Sequence, residues 1–152
     1  MKTNPSYFLP SNLMAGIECQ QIKVKLGDNE GLDRAVEAAC IKTLDRSGGK
    51  GFPVLFYYSK MSVSSVMATL QRVFGASALL YTHGGSEKNE ATEVEVEEWL
   101  RRWRTGEEKR ILVTDPHISR GWEAKDLVVI GKGHTENLVM RTCGFCFLIK
   151  VE

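Results

Sequence analysis

The chain has 152 residues, of which 43% are hydrophobic and 26% charged, with a formal net charge of +1. That length suits one domain with one buried core, and the balance gives no bulk basic signal for nucleic acid and no acidic tail. No apolar run approaches the roughly 20 residues of a membrane span, and Met1–Leu9 lacks the charged-then-apolar order of a signal peptide.

Four cysteines, Cys19, Cys40, Cys143 and Cys146, are few for a disulfide framework and read as thiols of a reducing compartment. The expected setting is intracellular, cytoplasmic or nuclear.

Residues 1–15 carry two prolines without a period and read as an irregular lead-in to a single domain over 1–152. Short runs rich in Val, Ile, Leu, Phe and Tyr then predict strands over Gln21–Leu26, Pro53–Ser59, Ala78–Thr82, Arg110–Thr114, Leu127–Gly131 and Phe145–Val151. Four of them contain nearly continuous apolar stretches, VLFYY, ALLY, ILV and LVVI. Such stretches suit strands buried on both faces, as in a parallel sheet.

Helical patterns separate the strands. Asn29–Leu44 has Leu32, Val36, Ala39 and Ile41 on or near one face, Asp28 or Asn29 as its cap, and Ser47-Gly48-Gly49 as its stop. Met61–Phe74 places Val63, Val66, Met67, Leu70 and Phe74 at helical spacing before Gly75. Glu90–Arg104 carries a stripe of Val96, Trp99, Leu100 and Trp103, with its acids early and Arg101, Arg102 and Arg104 in the last turn, the order that complements a helix dipole. Strand–helix alternation of this kind predicts right-handed βαβ units in an α/β, doubly wound, mostly parallel sheet with helices on both faces.

Ligands of such sheets bind outside the carboxyl ends of strands, so polar loops after strands are the places to search. Thr82-His83-Gly84-Gly85-Ser86 follows one strand, and Thr114-Asp115-Pro116-His117-Ile118-Ser119-Arg120-Gly121-Trp122-Glu123 follows another. Arg141 stands before the last strand. These segments are expected at corresponding ends of the sheet.

ILVTDPHISRGWE followed by AKDLVVI resembles the motif-V segment of superfamily 1 and 2 helicases: a strand ending in Thr, a turn with Lys or Arg then Gly, and an acid. YTHGGS with the helix after it and WRTGEEKRILVTD resembles the run between motifs IV and V. PVLFYYSKMSVSSVMATL resembles motif IV, and NLVMRTCGFCFLIKV a superfamily 1 motif VI. The resemblance runs from about residue 50 to the end, more weakly over Asn12–Val24, and is to the second RecA-like domain only. Within superfamily 1 it is most similar to the schlafen-type helicase domains.

That resemblance implies a P-loop-NTPase-type fold without the P-loop. The pattern G-x-x-x-x-G-K-[ST] is absent, and the glycine-rich run Ser47–Gly51 precedes a strand instead of joining a strand to a helix. The family pattern implies that Arg141 reaches the γ-phosphate held by a partner, as a planar and permanently charged arginine finger. It implies that Glu123, with Gly121 and Arg120 beside it, meets the nucleotide ribose, and that Thr114, Ser119, Thr82, His83 and Lys60 meet a nucleic-acid backbone.

ATP and Mg²⁺ are then expected only with a P-loop RecA-like domain in cis or trans, and a DNA or RNA single strand is the implied track. No ATPase activity is expected of this chain alone. Trp122 reads either as a base-stacking side chain or as a residue buried beside a strand.

Two departures favour an alternative. The first strand of the pattern ends Tyr57-Tyr58-Ser59-Lys60 where superfamily 1 often has Arg, and Met140 replaces the Thr before Arg141. A non-catalytic RecA-like binding or regulatory module, or a decayed helicase fragment, fits those changes. Cys143 and Cys146 have the spacing of half a zinc site, but no second close pair exists.

Overall fold

The computed structural model describes residues 18–56, 63–75, 78–82, 90–115, 118, 119, 122, 124–132 and 142–152. In chain order these form β1 (Glu18–Val24), α1 (Asn29–Arg46), β2 (Pro53–Phe56), α2 (Val63–Phe74), β3 (Ala78–Tyr81), α3 (Glu93–Arg104), β4 (Ile111–Thr114), β5 (Ala124–Lys132) and β6 (Thr142–Val151). The six strands make one sheet in the order β1-β6-β5-β2-β4-β3, and every pairing is parallel. The expected α/β sheet with helices on both faces is present.

Alternation along the strands sorts the core into two layers. Val54, Phe56, Ile111, Val113, Val128, Ile130, Phe147 and Ile149 face α1 and α2, together with Leu32, Val36, Ala39, Val66 and Leu70. Leu112, Leu79 and Tyr81 face α3 with Val96 and Trp99. Leu55, Leu127, Val129, Cys146 and Leu148 form the other part of that second layer, with Trp103 against them. Every residue of β2 and β4 is buried, as the near-continuous apolar runs predicted.

The connections obey one hand. β1 to β2 and β2 to β3 travel one way along the sheet, and their helices α1 and α2 lie on one face. β3 to β4 and β4 to β5 travel back, and α3 and Trp122 lie on the other face. Direction and face are coupled, as the handedness of parallel crossovers requires.

Local chemistry sets the element ends. Asp28 caps α1, its carboxylate accepting from the Gly31 N–H at 2.9 Å. The helix closes where Gly48 and Gly49, at φ 72° and 86°, turn their N–H groups back to Asp45 and Leu44. Ile41, expected near the buried face, is 48% exposed; Leu32, Ala35, Val36, Ala39, Cys40 and Thr43 form the buried stripe instead. Thr92 and Glu95 close a reciprocal capping box, so α3 starts at Glu93, three residues later than expected. β5 and β6 each start three residues earlier than the apolar runs, because Ala124 and Thr142 extend the ladder as partners. β1 runs Glu18–Val24 in place of Gln21–Leu26, since the chain leaves the strand through a turn at Gly27, φ 93°.

One polar knot joins the amino ends of β2 and β4. Glu108 is 2% exposed. Its carboxylate accepts from Arg110 Nε and Nη2 at 2.9 Å each and from the N–H groups of Lys109 and Arg110 at 3.0 Å, with Arg102 Nε at 3.5 Å. Its carbonyl accepts the Gly51 N–H at 2.8 Å. A Cβ on Gly51 would stand 2.1 Å from the Arg110 carbonyl oxygen, so only glycine permits this approach. The run Ser47–Gly51 is thus a helix stop followed by a close backbone contact.

Burial pushes the Glu108 carboxyl up, and the hydrogen bonds and charge of Arg110 more than offset it, so the group titrates below its ordinary value. Its stabilisation is therefore complete above the ordinary carboxylate pKa of about 4.3 and fades as pH falls through the lower folded value. Glu108→Gln should cost about 1–3 kcal/mol at neutral pH in urea unfolding, with a cost that shrinks in acid. Asp126 has the opposite sign. Burial dominates and holds its carboxyl above the ordinary value, with Arg46 and Lys125 opposing. Asp126→Asn should gain stability relative to the native chain as pH rises from below about 4 to neutrality, measured by thermal midpoints across pH.

Candidate functional site at the carboxyl edge of the sheet

Neighbouring strands whose onward connections leave on opposite faces open a crevice between them. β2 and β4 are such a pair: β2 leads to α2 on one face, and Trp122, after β4, packs on the other. The mouth of this crevice is the carboxyl edge, where Leu55 stands in register with Thr114, and Thr114 with Tyr81 of β3.

Thr114 is 1% exposed, and its Oγ donates to the Tyr81 carbonyl at 2.7 Å. This bond ties the ends of β4 and β3 together. Thr82, the next residue after β3, gives its N–H and its hydroxyl to the Glu90 carboxylate at 2.5 and 2.8 Å. Ala91 N–H bonds the Leu80 carbonyl at 2.8 Å. These bonds hold Leu80 and Thr82 against Ala91 and Glu90.

Beyond β4, Asp115 organises a turn. Its carboxylate accepts from the Ile118 N–H, and its carbonyl from both the N–H and the hydroxyl of Ser119, each at 3.2 Å. Ser119 is buried, and its carbonyl accepts the Trp122 N–H at 2.9 Å. Trp122 then stacks on Trp99, with centroids 6.1 Å apart, and lies tilted at 5.9 Å from Trp103. Trp99 and Trp103 stack at 5.2 Å, and Trp99 Nε1 donates to the Arg110 carbonyl. Of the two readings of Trp122, the structure supports packing beside the sheet.

Three of the sequence-predicted residues are therefore placed: Thr82, Thr114 and Ser119 lie on loops and strand ends at the carboxyl side, each with its hydroxyl engaged inside the protein. Lys60, His83, Arg120, Gly121, Glu123 and Arg141 lie outside the described residues. Their chain neighbours bear on the expectation of one shared end. Ala124 and Thr142, which follow Glu123 and Arg141, are register partners at the amino ends of β5 and β6. Thr114 is level with Leu55 and hence with Val129, roughly 16 Å farther along the strand than Ala124 at about 3.3 Å per residue. Ala124 and Thr142 thus lie at the opposite end of the sheet from Thr114, which departs from the expected common end.

Two participants went unnoticed in the sequence. Asp115 carried a usable signal, a short carboxylate at a strand end before Pro116, the composition of a side-chain-bonded turn. Glu90 carried none, because its run read as the start of a helix.

The side chain of Cys143, one member of the half zinc site, lies outside the described residues, and Cys40 is not placed to complete a site with Cys146. Cys40 is buried among the residues under α1 and α2, and Cys146 on the face of α3, so the sheet separates them. Burial pushes the Cys40 thiol well above its ordinary value, which keeps it protonated. Among the described residues no group of three His, Cys, Asp or Glu is placed to hold a metal, and no helix is long and apolar enough to cross a membrane.

No protein-family model matches this chain, and no curated protein matches it. Among solved structures it is similar to the C-terminal domain of the DEAD-box protein Dbp5, at 13% sequence identity and a TM-score of 0.48, over 88% of this chain and 76% of that one. A likeness of this size assigns no residue a role.

The Thr114 bond gives a direct test of what holds the crevice mouth. Thr114→Val keeps the shape and strips a buried carbonyl of its donor. It should lower stability by about 1–2 kcal/mol in chemical denaturation, whereas Thr105→Val, on an exposed hydroxyl, should change it by less than about 0.5 kcal/mol.

Proposed function

We propose that the chain is the second RecA-like domain of a helicase-type ATPase, presenting strand-end loops to an ATP site whose phosphate-binding loop belongs to another domain. The observation that carries this reading is the strand order at the carboxyl edge, where β2 and β4 are neighbours whose onward connections run in opposite directions, an arrangement that opens a crevice. Its mouth is set by the Thr114–Tyr81 bond and the Asp115 turn, and the segments resembling motifs IV and V leave β2 and β4 there.

Within the glycine-rich run Ser47–Gly51, Gly48 and Gly49 close α1 and Gly51 bonds the Glu108 carbonyl. On this reading ATP and Mg²⁺ belong to a P-loop RecA-like partner in cis or trans. By the motif resemblance alone, Arg141 supplies positive charge to the γ-phosphate, and Glu123, Gly121 and Arg120 meet the ribose side of the nucleotide; the amino-end position of Ala124 and Thr142 does not support a place for Glu123 and Arg141 at the carboxyl edge. Lys60 and His83 meet the backbone of a DNA or RNA single strand. Thr82, Thr114 and Ser119 act as positioning residues, because their hydroxyls already hold the loops.

Turnover measured with a P-loop RecA-like domain is the test. The chain alone should hydrolyse no ATP. The pair should, and Arg141→Ala should lower turnover by about three orders of magnitude or more. An unchanged rate in that variant removes the arginine-finger role, and hydrolysis by the isolated chain removes the division of labour. A labelled single strand should bind at low salt and weaken steeply as salt rises.

A further inference from the structure

Among the described residues β1 is an edge strand, paired only with β6. The Val24 carbonyl and the Leu26 N–H bond the two backbone groups of Glu152. In a parallel ladder the N–H and C=O of one residue point the same way and alternate along the strand. The even-numbered residues of β1 thus serve β6, and the N–H and C=O groups of Gln21 and Lys23 face outward. The Lys25 carbonyl is taken by the Asp28 N–H.

That outward edge is one wall of a cleft of about 350 Å³. Consecutive residues Ile22 to Lys25 line it, as they do when a groove runs along the side of a strand instead of its face. The other wall is α1, which contributes Gly31, Arg34, Ala35 and Ala38, spaced as one helical stripe. Three of these four residues are small, which leaves width beside the strand. A Cβ at Gly31 would stand 2.2 Å from an Asp28 carboxylate oxygen, so a side chain there would displace the capping carboxylate.

The charge along the β1 edge is mostly of one sign. Of the residues lining the cleft, Lys23, Lys25 and Arg34 are basic and Asp28, which accepts the Gly31 N–H, is the one carboxylate. Arg34 approaches Glu30 only at 3.9 Å, with the two side chains 71% and 91% exposed, a pairing too solvated to hold the guanidinium. Lys23 and Lys25 lie on the α3 side of the sheet, because Ile22 and Val24 pack into the α1 layer.

We propose that this groove binds an extended acidic peptide segment of a partner protein by strand addition to β1. The outward N–H and C=O groups supply backbone pairing. Lys23 and Lys25 select acidic side chains on one face of the incoming strand, and the small α1 stripe accepts apolar ones on the other. This surface lies at the far edge of the sheet from β3 and β4 and is independent of the ATP-site reading.

The probe is a labelled peptide of about ten residues alternating valine and glutamate, titrated into the full chain and followed by polarisation. Expected are saturable binding, loss of affinity between about 50 and 500 mM salt, and a drop of about tenfold or more in the double variant Lys23→Glu, Arg34→Glu. Lys23→Pro removes one outward N–H and leaves the bonds to β6, so it should abolish binding while circular dichroism stays native. The same peptide N-methylated at alternate residues tests the backbone without touching the protein, and it should fail to bind. Equal binding by the charge-reversed variant overturns the charge selection, and equal binding of the methylated peptide overturns strand addition. Full displacement by a single-stranded oligonucleotide reassigns the basic rim to nucleic acid and overturns the proposal.

Discussion

The structure depends on a coupling between direction and face. A parallel sheet forces every connection to cross from the carboxyl edge back to the amino edge, and the crossovers have one hand. A step toward β3 therefore puts its helix on one side, and a step toward β6 puts its connection on the other. From that follow the placing of α1 and α2 together, the isolation of α3, and the burial of β2 and β4 on both sides. The crevice at the carboxyl edge arises where the two directions meet. It is a property of strand order before it is a property of any side chain.

The polar contacts consolidate what the order creates. Thr114 joins β4 to β3 above, and Glu108 joins the start of β4 to Gly51, two residues before β2, below. Between them, four-residue strands carry only apolar side chains on the α1 and α2 layer. The tryptophan trio extends the same logic to the opposite layer. Trp99 and Trp103 of α3 take Trp122 from the segment leaving β4, so α3 fixes that segment as well as covering the sheet. Removing water from one side of β4 and ordering the turn after it are a single packing event.

Much of this fold is legible in the sequence, because it is written in short-range patterns. VLFYY and ILV announce strands covered on both sides, and the caps at Asp28 and the glycine stop after Arg46 bound α1. The pattern fails where tertiary partners replace it. Ala124 and Thr142 are strand residues because they meet each other, not because either belongs to an apolar run. Glu90 looks like helix and serves Thr82. The site was legible only as a set of loops. Strand order decides which loops share an edge, and no local signal encodes that order. Hence Thr114 and Thr82 do fall together, whereas Ala124 and Thr142 mark the opposite edge.

The position of β6 has a consequence for how the chain is made. β6 lies between β5 and β1, so the first strand described is joined to the sheet only through the last. As the protein leaves the ribosome, β2, β3, β4 and β5 can pair among themselves, but β1 has no ladder until β6 emerges. Closing the loop from β1 to β6 costs entropy that is repaid only when β6 pairs. Folding of this sheet therefore includes an insertion, in which β6 takes its place between β5 and β1 and joins the two.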